Sequence, residues 1–368
     1  MSKQILLFFV LVFAANFAFS QSIDSIMIDT TLIDSELIFQ DSITVLNEQN
    51  ELFSSSRKKY NSGLEFLNDR NLDSAVISFT KAVVIDSTFS QAYFYRAKCY
   101  DNSDIDLAIL DYNMAFKFDS TNLLPIYCIA KIQSVIDVNE AFNTYDLINS
   151  YDNKQSKAHY EIGVLSYLQE DFKGAIVSFT NSIAIMKDPR TFNDRASCYR
   201  MLDNNELAIN DYITAIALNS DLAFIYNNLA STYRKQGDSV KALSYYSLAI
   251  SKDINYVLCY NNRGSLHLDL NDIDNALLDI NKAISIDNDY APAYNNKGVL
   301  YHQQKRYTEA LAYFDKAILL NNDYAKAYLN RGITRQMIRD EDGACNDWIK
   351  AKKLGINVAN KYLVNDCN

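Results

Sequence analysis

Asparagine recurs in pairs along the second half of the chain. Asn227-Asn228, Asn261-Asn262 and Asn295-Asn296 follow one another at 34 residues, with Asn330 continuing the series and Asn193-Asp194 preceding it. A carboxamide both donates and accepts hydrogen bonds. A row at constant spacing therefore suits the main chain of an extended polypeptide, which offers both group types at regular intervals. The competing use of asparagine here is a bond across a helix pair. A phosphate cradle at Asn295-Asn296-Lys297-Gly298 is excluded, because that loop needs glycines in a tight turn between strand and helix. Gly298 stands in helix-forming sequence on both sides.

Nothing in the chain suggests covalent or acid–base chemistry. There is no Gly-x-Ser-x-Gly and no His-Glu-x-x-His, and the three histidines, His159, His267 and His302, are isolated. The six cysteines, Cys99, Cys128, Cys198, Cys259, Cys345 and Cys367, form no Cys-x-x-Cys pair, so neither a metal site nor a thiol redox site is expected. Acidic pairs such as Glu341-Asp342 read as solvated or capping turn residues. The chain is expected to have no enzymatic activity and no cofactor.

The elements that would carry the asparagines are helices. "IYNNLASTYRKQGDSVKALSYYSLAI" from Ile225, "CYNNRGSLHLDLNDIDNALLDINKAI" from Cys259 and "AYNNKGVLYHQQKRYTEALAYFDKAI" from Ala293 align residue for residue. In the third, Tyr294, Gly298 and Tyr301 mark one apolar stripe, and Ala310, Phe314 and Ala317 mark a second beyond a polar break at Gln304-Lys305-Arg306. Each spacing of three and four is one face of a helix. Small residues let two helix axes approach to about 8–10 Å while the aromatics fill the space between them. A pair this short buries too little alone, so neighbours must stack. With 49% apolar residues, 9 Gly and 3 Pro, the chain has a core to build and few helix breakers.

This pattern resembles the tetratricopeptide repeat family, whose helix-turn-helix unit has a bulky residue at position four, small ones at eight, twenty and twenty-seven, and an aromatic at twenty-four. The resemblance implies an all-α, right-handed superhelical solenoid of nine units. Units one to four, residues 56–188, match less well; examples are Gly63, Ala75 and Phe79, then Tyr93, Ala97 and Tyr112. Units five to nine, residues 189–355, match better, although Ile280 replaces the aromatic in one. Residues 356–368 are expected to form a capping helix with Leu354, Val358, Tyr362 and Leu363 buried. The family's usual proline is missing; Ser87, Ser120, Ser220, Asn288 and Asn322 stand there and are expected to make the turn by side-chain to backbone bonds.

The resemblance also implies that the first helices of successive units line a concave groove. Position six would then place Asp194, Asn228, Asn262, Asn296 and Asn330 on it. Position five would give Tyr60, Phe94, Ile126 and Tyr160 in the first four units and Asn193, Asn227, Asn261 and Asn295 in the next four, an apolar stretch followed by a polar one. Packing of those aromatics inside the array is the alternative. Arg190, Arg200, Arg234, Lys235 and Lys326 against Asp269 would make the polar half locally basic and suit a partner with carboxylates; a solvated face is the alternative.

The first twenty residues, one Lys before an apolar run ending in Ala18-Phe19-Ser20, read as a cleavable signal peptide. That run is shorter than the roughly 20 residues of a spanning helix, so a retained anchor is the weaker reading. No later segment is apolar enough to span a bilayer. Residues 21–55 have no sustained period and read as a partly disordered tether ending in a short amino-terminal cap. An exported, bacterial protein of the periplasm, cell envelope or exterior is expected, and the absence of Asn-x-Ser/Thr acceptors agrees with it. In that setting Cys345 and Cys367 are expected to bond if the last helix folds back. A net charge of −10 disfavours nucleic acid. The expected role is a scaffold for a protein or peptide partner, the alternative a self-associating envelope protein without a groove ligand.

Overall fold

The structure, a computed structural model, describes residues 30–367, with side chains from Ser42 onward. The expected signal peptide, residues 1–20, lies outside the described residues. Among the described residues there are nineteen helices and no strand, and no helix is long and apolar enough to cross a membrane. The fold is the expected all-α repeat solenoid. The chain divides into two compact units, one ending at Pro125 and one running from Ile126 to the end.

Local chemistry sets every corner. Seven first helices are followed by a residue in the left-handed region, and at Arg70, Glu170, Asp203, Asn271, Lys305 and Arg339 that residue is not glycine, with φ between 57° and 63°. The turn is closed by paired backbone bonds, as where Lys305 N–H donates to His302 O at 2.8 Å and Arg306 N–H to Tyr301 O at 2.9 Å. Only Gly237 occupies this place without a Cβ penalty. Lys305→Gly is accordingly expected to raise stability by a few tenths to about 1 kcal/mol, read from the denaturant midpoint.

Six second helices begin on a carboxylate cap; Asp238, for example, accepts from Lys241 N–H at 3.0 Å and Asp340 from Gly343 N–H at 3.0 Å. Past each second helix the turn forms differently from expectation. The side chain that bonds the backbone belongs to the residue before the expected one: Asp86, Asp119, Asn219, Asp287 and Asn321 accept from the N–H two residues on. Ser220, Asn288 and Asn322 contribute instead a backbone carbonyl, held by the hydroxyl of Tyr226, Tyr294 or Tyr328 at 3.0–3.1 Å.

Inside each pair, small residues lie under large ones. A Cβ on Gly298 would stand 2.6 Å from Phe314, and one on Gly332 would stand 2.5 Å from Trp348. Gly63 and Gly163 lie likewise under Phe79 and Phe179. Where Ile280 replaces the ring, Gly264 has more room, 3.1 Å. Phe314, Trp348 and Ile280 are all but fully buried.

Two expectations at the chain's ends are corrected. The first helix is continuous from Thr30 to Asn68, so no tether precedes a short cap within it. Its stretch from Ser42 to Ser55 is exposed, and burial begins at Ser56, whose hydroxyl donates to Ala82 O at 3.0 Å. The missing period there goes with the exposure of this stretch rather than with the lack of a helix; residues 30–55 contain neither Gly nor Pro. At the other end the cap is Ala359–Asp366, with Ala359 buried, Tyr362 stacked on Trp348 at 5.0 Å, and Val358, expected inside, exposed.

Cys345 and Cys367 are joined, with Cα atoms 5.8 Å apart and a sequence separation of 22. A loop of that length gives up to about 3 kcal/mol through the unfolded chain. Reduction, or Cys345→Ser with Cys367→Ser, is expected to accelerate amide exchange in Glu341–Lys353 and the cap while leaving Val257–Asp269 unchanged. The remaining thiols are packing groups: burial pushes Cys198 and Cys259 up to about 12.

Candidate functional site

Within the unit from Ile126 onward, the first helices form a wall of their own. Ser156–Leu168, Pro189–Met201, Ala223–Lys235, Val257–Asp269, Ala291–Gln303 and Ala325–Met337 each touch the next in the series, and successive second helices make no comparable contact. In a curved stack the crowded side is the inner one, so these helices are on the inside of the curve.

The asparagines sit on this wall in two classes. Those at position five, Asn193, Asn227, Asn261 and Asn295, are only 2–7% exposed. They were expected as groove contacts, and the structure turns them into the stack instead. Position six, Asp194, Asn228, Asn262, Asn296 and Asn330, is half-buried and open on one side. The two classes bond to each other across repeats: Asn228 Nδ2 donates to Asn193 Oδ1 at 3.0 Å and Asn262 to Asn227 at 3.0 Å. Asn296 donates to Asn261 at 2.8 Å and Asn330 to Asn295 at 2.9 Å. These bonds join first helices of successive repeats rather than crossing a helix pair, as the alternative reading of the sequence had it. The buried amides fix the half-buried ones: each position-six asparagine commits one N–H to that bond, and Asn296 Nδ2 also faces Asn261 O at 3.5 Å.

At the amino-terminal end of the row stands Asp194. It accepts from Tyr160 O–H at 2.8 Å and from Asn193 Nδ2 at 3.0 Å. Burial pushes its carboxyl above the ordinary carboxylate range, and these two donors pull it back. Burial raises the Tyr160 phenol, and the neighbouring Asp194 carboxylate adds to the rise.

The aromatics at position five pack inward. Tyr60 lies 5.0 Å from Phe89 and 5.8 Å from Phe79, Phe94 meets Tyr95 edge-on at 5.4 Å, and Tyr160 lies 5.7 Å from Phe179. The apolar stretch expected in the groove is thus filled from within, each ring remaining half-buried.

The expected basic groove is also corrected. Arg234 reaches forward to Asp269 and to Ser265 Oγ at 3.0 Å, while Lys235 reaches back to Asp203 and to Arg200 O at 3.0 Å. Both cations are engaged by acids and carbonyls of neighbouring repeats, so they tie three first helices together. Arg234→Ala is expected to loosen this tie by about 1 kcal/mol or less, since the Arg234–Asp269 pair is solvent-exposed; the denaturant midpoint reads it.

Sequence reasoning missed the ion pairs between helices. Arg96–Asp111, Arg195–Asp211, Arg263–Asp279 and Arg331–Asp347 are each bidentate at 2.6–2.9 Å, with the aspartates only 3–7% exposed. Each arginine also reaches the preceding second helix, at Thr80, Thr180, Ser247 or Asp315. The hydrogen bond to Asp279 holds the Arg263 guanidinium above its ordinary value. Between these repeats the same place holds a tyrosine stack instead, Tyr233 on Tyr245 at 5.4 Å and Tyr301 on Tyr313 at 5.1 Å. The signal that would have found the pairs is recurrence of Arg195, Arg263 and Arg331 at 68 residues.

Comparison with known proteins agrees with this architecture. Residues 225–255, 258–290 and 291–324 match family models described as tetratricopeptide repeat. The chain is similar to the crystal structure of a tetratricopeptide repeat protein from Parabacteroides merdae ATCC 43184, with TM-score 0.51 and 17% identity over 86% of this chain and 100% of that one. It is also similar to a chain of the APC/C hetero-tetramer Cut9-Hcn1, with TM-score 0.55 and 13% identity over 85% of this chain and 76% of that one. At these identities the likeness is one of fold. Among curated proteins, none matches the chain.

Proposed function

We propose, from the premise that this chain is a tetratricopeptide repeat protein and so a protein–protein interaction scaffold, that it holds an extended polypeptide along the first-helix wall of its second half. The observation that carries this reading is the row Asn228, Asn262, Asn296 and Asn330. Each side chain is half-buried and fixed by a bond to the preceding repeat, and Asn228, Asn262 and Asn330 are left with an N–H to give. Groups fixed before binding lose little freedom on binding, which favours recognition of a main chain. The Arg234 and Lys235 bridges neutralise those two cations within the wall, which moves the weight of selectivity toward hydrogen bonding.

We place the protein outside the cytoplasm, supported by the disulfide, which belongs to an oxidising compartment, and by the signal-like first twenty residues. Intact mass of the exported protein tests this, with loss of residues 1–20 expected. For the wall, a photoreactive residue at Asn262 is expected to crosslink a partner polypeptide in the cell. The same group at Leu278, exposed on the second helix of that repeat, is expected not to. Crosslinking from Leu278 and none from Asn262 would place the partner elsewhere.

A further inference from the structure

The row of carboxamides has a direction. Every inter-repeat bond runs the same way, from Asn330 to Asn295, Asn296 to Asn261, Asn262 to Asn227 and Asn228 to Asn193, with the nitrogen on the carboxy-terminal side. Within repeats Asn193 Nδ2 donates to Asp194, and Asn227 and Asn295 lean the same way toward the oxygens of Asn228 and Asn296 at 3.4 Å. From Asn262 to Asp194 the row is therefore one relay, whereas Asn261 makes no hydrogen bond to Asn262, so the stretch from Asn330 through Asn296 to Asn261 stands apart from it.

Shape alone does not fix this. A carboxamide turned over exchanges its oxygen and nitrogen with almost no change in volume, so a row made only of asparagine runs equally well either way. An ionised carboxylate only accepts. Asp194 takes Tyr160 O–H on one oxygen and Asn193 N–H on the other. With its nitrogen committed to Asp194, Asn193 must turn its oxygen to Asn228, which must then present its nitrogen. The same requirement passes through Asn227 to Asn262, where the relay ends. One repeat earlier the corresponding positions are Tyr160 and Glu161, so the row has no carboxamide beyond its head.

We propose that Asp194 is a positioning residue for the partner-binding wall: as an acceptor-only head, it sets the direction of the asparagine row as far as Asn262 and so decides which places along that stretch hold N–H and which hold oxygen. The consequence for binding rests on the docking reading above. The ordering itself does not, and its test needs no partner.

The test is the side-chain amide spectrum of the mature chain labelled with 15N-asparagine. Asp194→Asn puts at the head the residue that later repeats carry at the same position, so the fold is kept and only the directional constraint is removed. The Asn228 and Asn262 side-chain signals are expected to shift, broaden or double in that variant, and the Asn296 signal, beyond the break in the relay, to stay in place. Tyr160→Phe, which keeps the carboxylate, should leave the Asn262 and Asn296 signals in place. So should Asp211→Asn, which alters the buried ion pair of the same repeat but lies off the row. Asp194→Asn spectra in which Asn228 and Asn262 stay at their original positions would overturn the proposal, as would an equal response to Asp211→Asn.

Discussion

Phe314→Ala is expected to lower the unfolding free energy by about 3–5 kcal/mol, because the ring is fully buried and fills the space over Gly298. Gly298→Ala is expected to cost about 1–3 kcal/mol, since its new Cβ meets the ring at 2.6 Å and the packed ring has nowhere to go. The informative case is the double variant. With the ring gone, the methyl enters an empty site and alanine favours the helix by about 1 kcal/mol over glycine, so the same Gly298→Ala change becomes stabilising. Gly264→Ala is the comparison, at 3.1 Å from the more yielding Ile280, and is expected to be close to neutral. Urea midpoints of the four proteins read all of this, and a Gly298→Ala penalty that persists without the ring would refute the direct contact.

Asp279→Ala is expected to cost about 3 kcal/mol or more, because it leaves the Arg263 guanidinium largely buried without its bidentate partner. Removing the whole device should cost far less. The preceding repeat fills the equivalent places with Leu229, Tyr233 and Tyr245, where the two tyrosines stack. Arg263→Leu, His267→Tyr and Asp279→Tyr together transplant that set, and the triple variant is expected to fall within about 1.5 kcal/mol of the parent. Chemical denaturation again decides: a triple variant as unstable as Asp279→Ala would mean that the ion pair has a role the tyrosine stack does not reproduce.

The helix pairs were readable because they depend on one-body rules. Gly298, Ala310 and Ala317 must be small and Tyr294 and Phe314 large wherever two helices meet at that distance, and the turns are marked by polar residues. The ion pairs were not readable, because Arg263 and Asp279 lie 16 residues apart on facing helices, and each alone looks like an exposed charge. The asparagine row was found by its spacing, but which of two neighbouring asparagines faces out depends on helix rotation, a matter of about 100° per residue that the pattern left open. Arg234 and Lys235 were misjudged for a related reason. Their partners, Asp269 and Asp203, come from the next and the previous repeat, and a count of charges along one helix does not include them. The long amino-terminal helix was missed because periodicity reports packing, and its exposed half packs on nothing among the described residues.

The most direct test of the central claim is amide exchange of the mature chain with and without the polypeptide segment that crosslinking at Asn262 recovers. The account predicts slowed exchange along Ala223–Lys235, Val257–Asp269 and Ala291–Gln303 when the segment is bound, with Ser239–Lys252 and Ile273–Ile286 little changed. Protection confined to those two second helices, with the first helices unaffected, would contradict it.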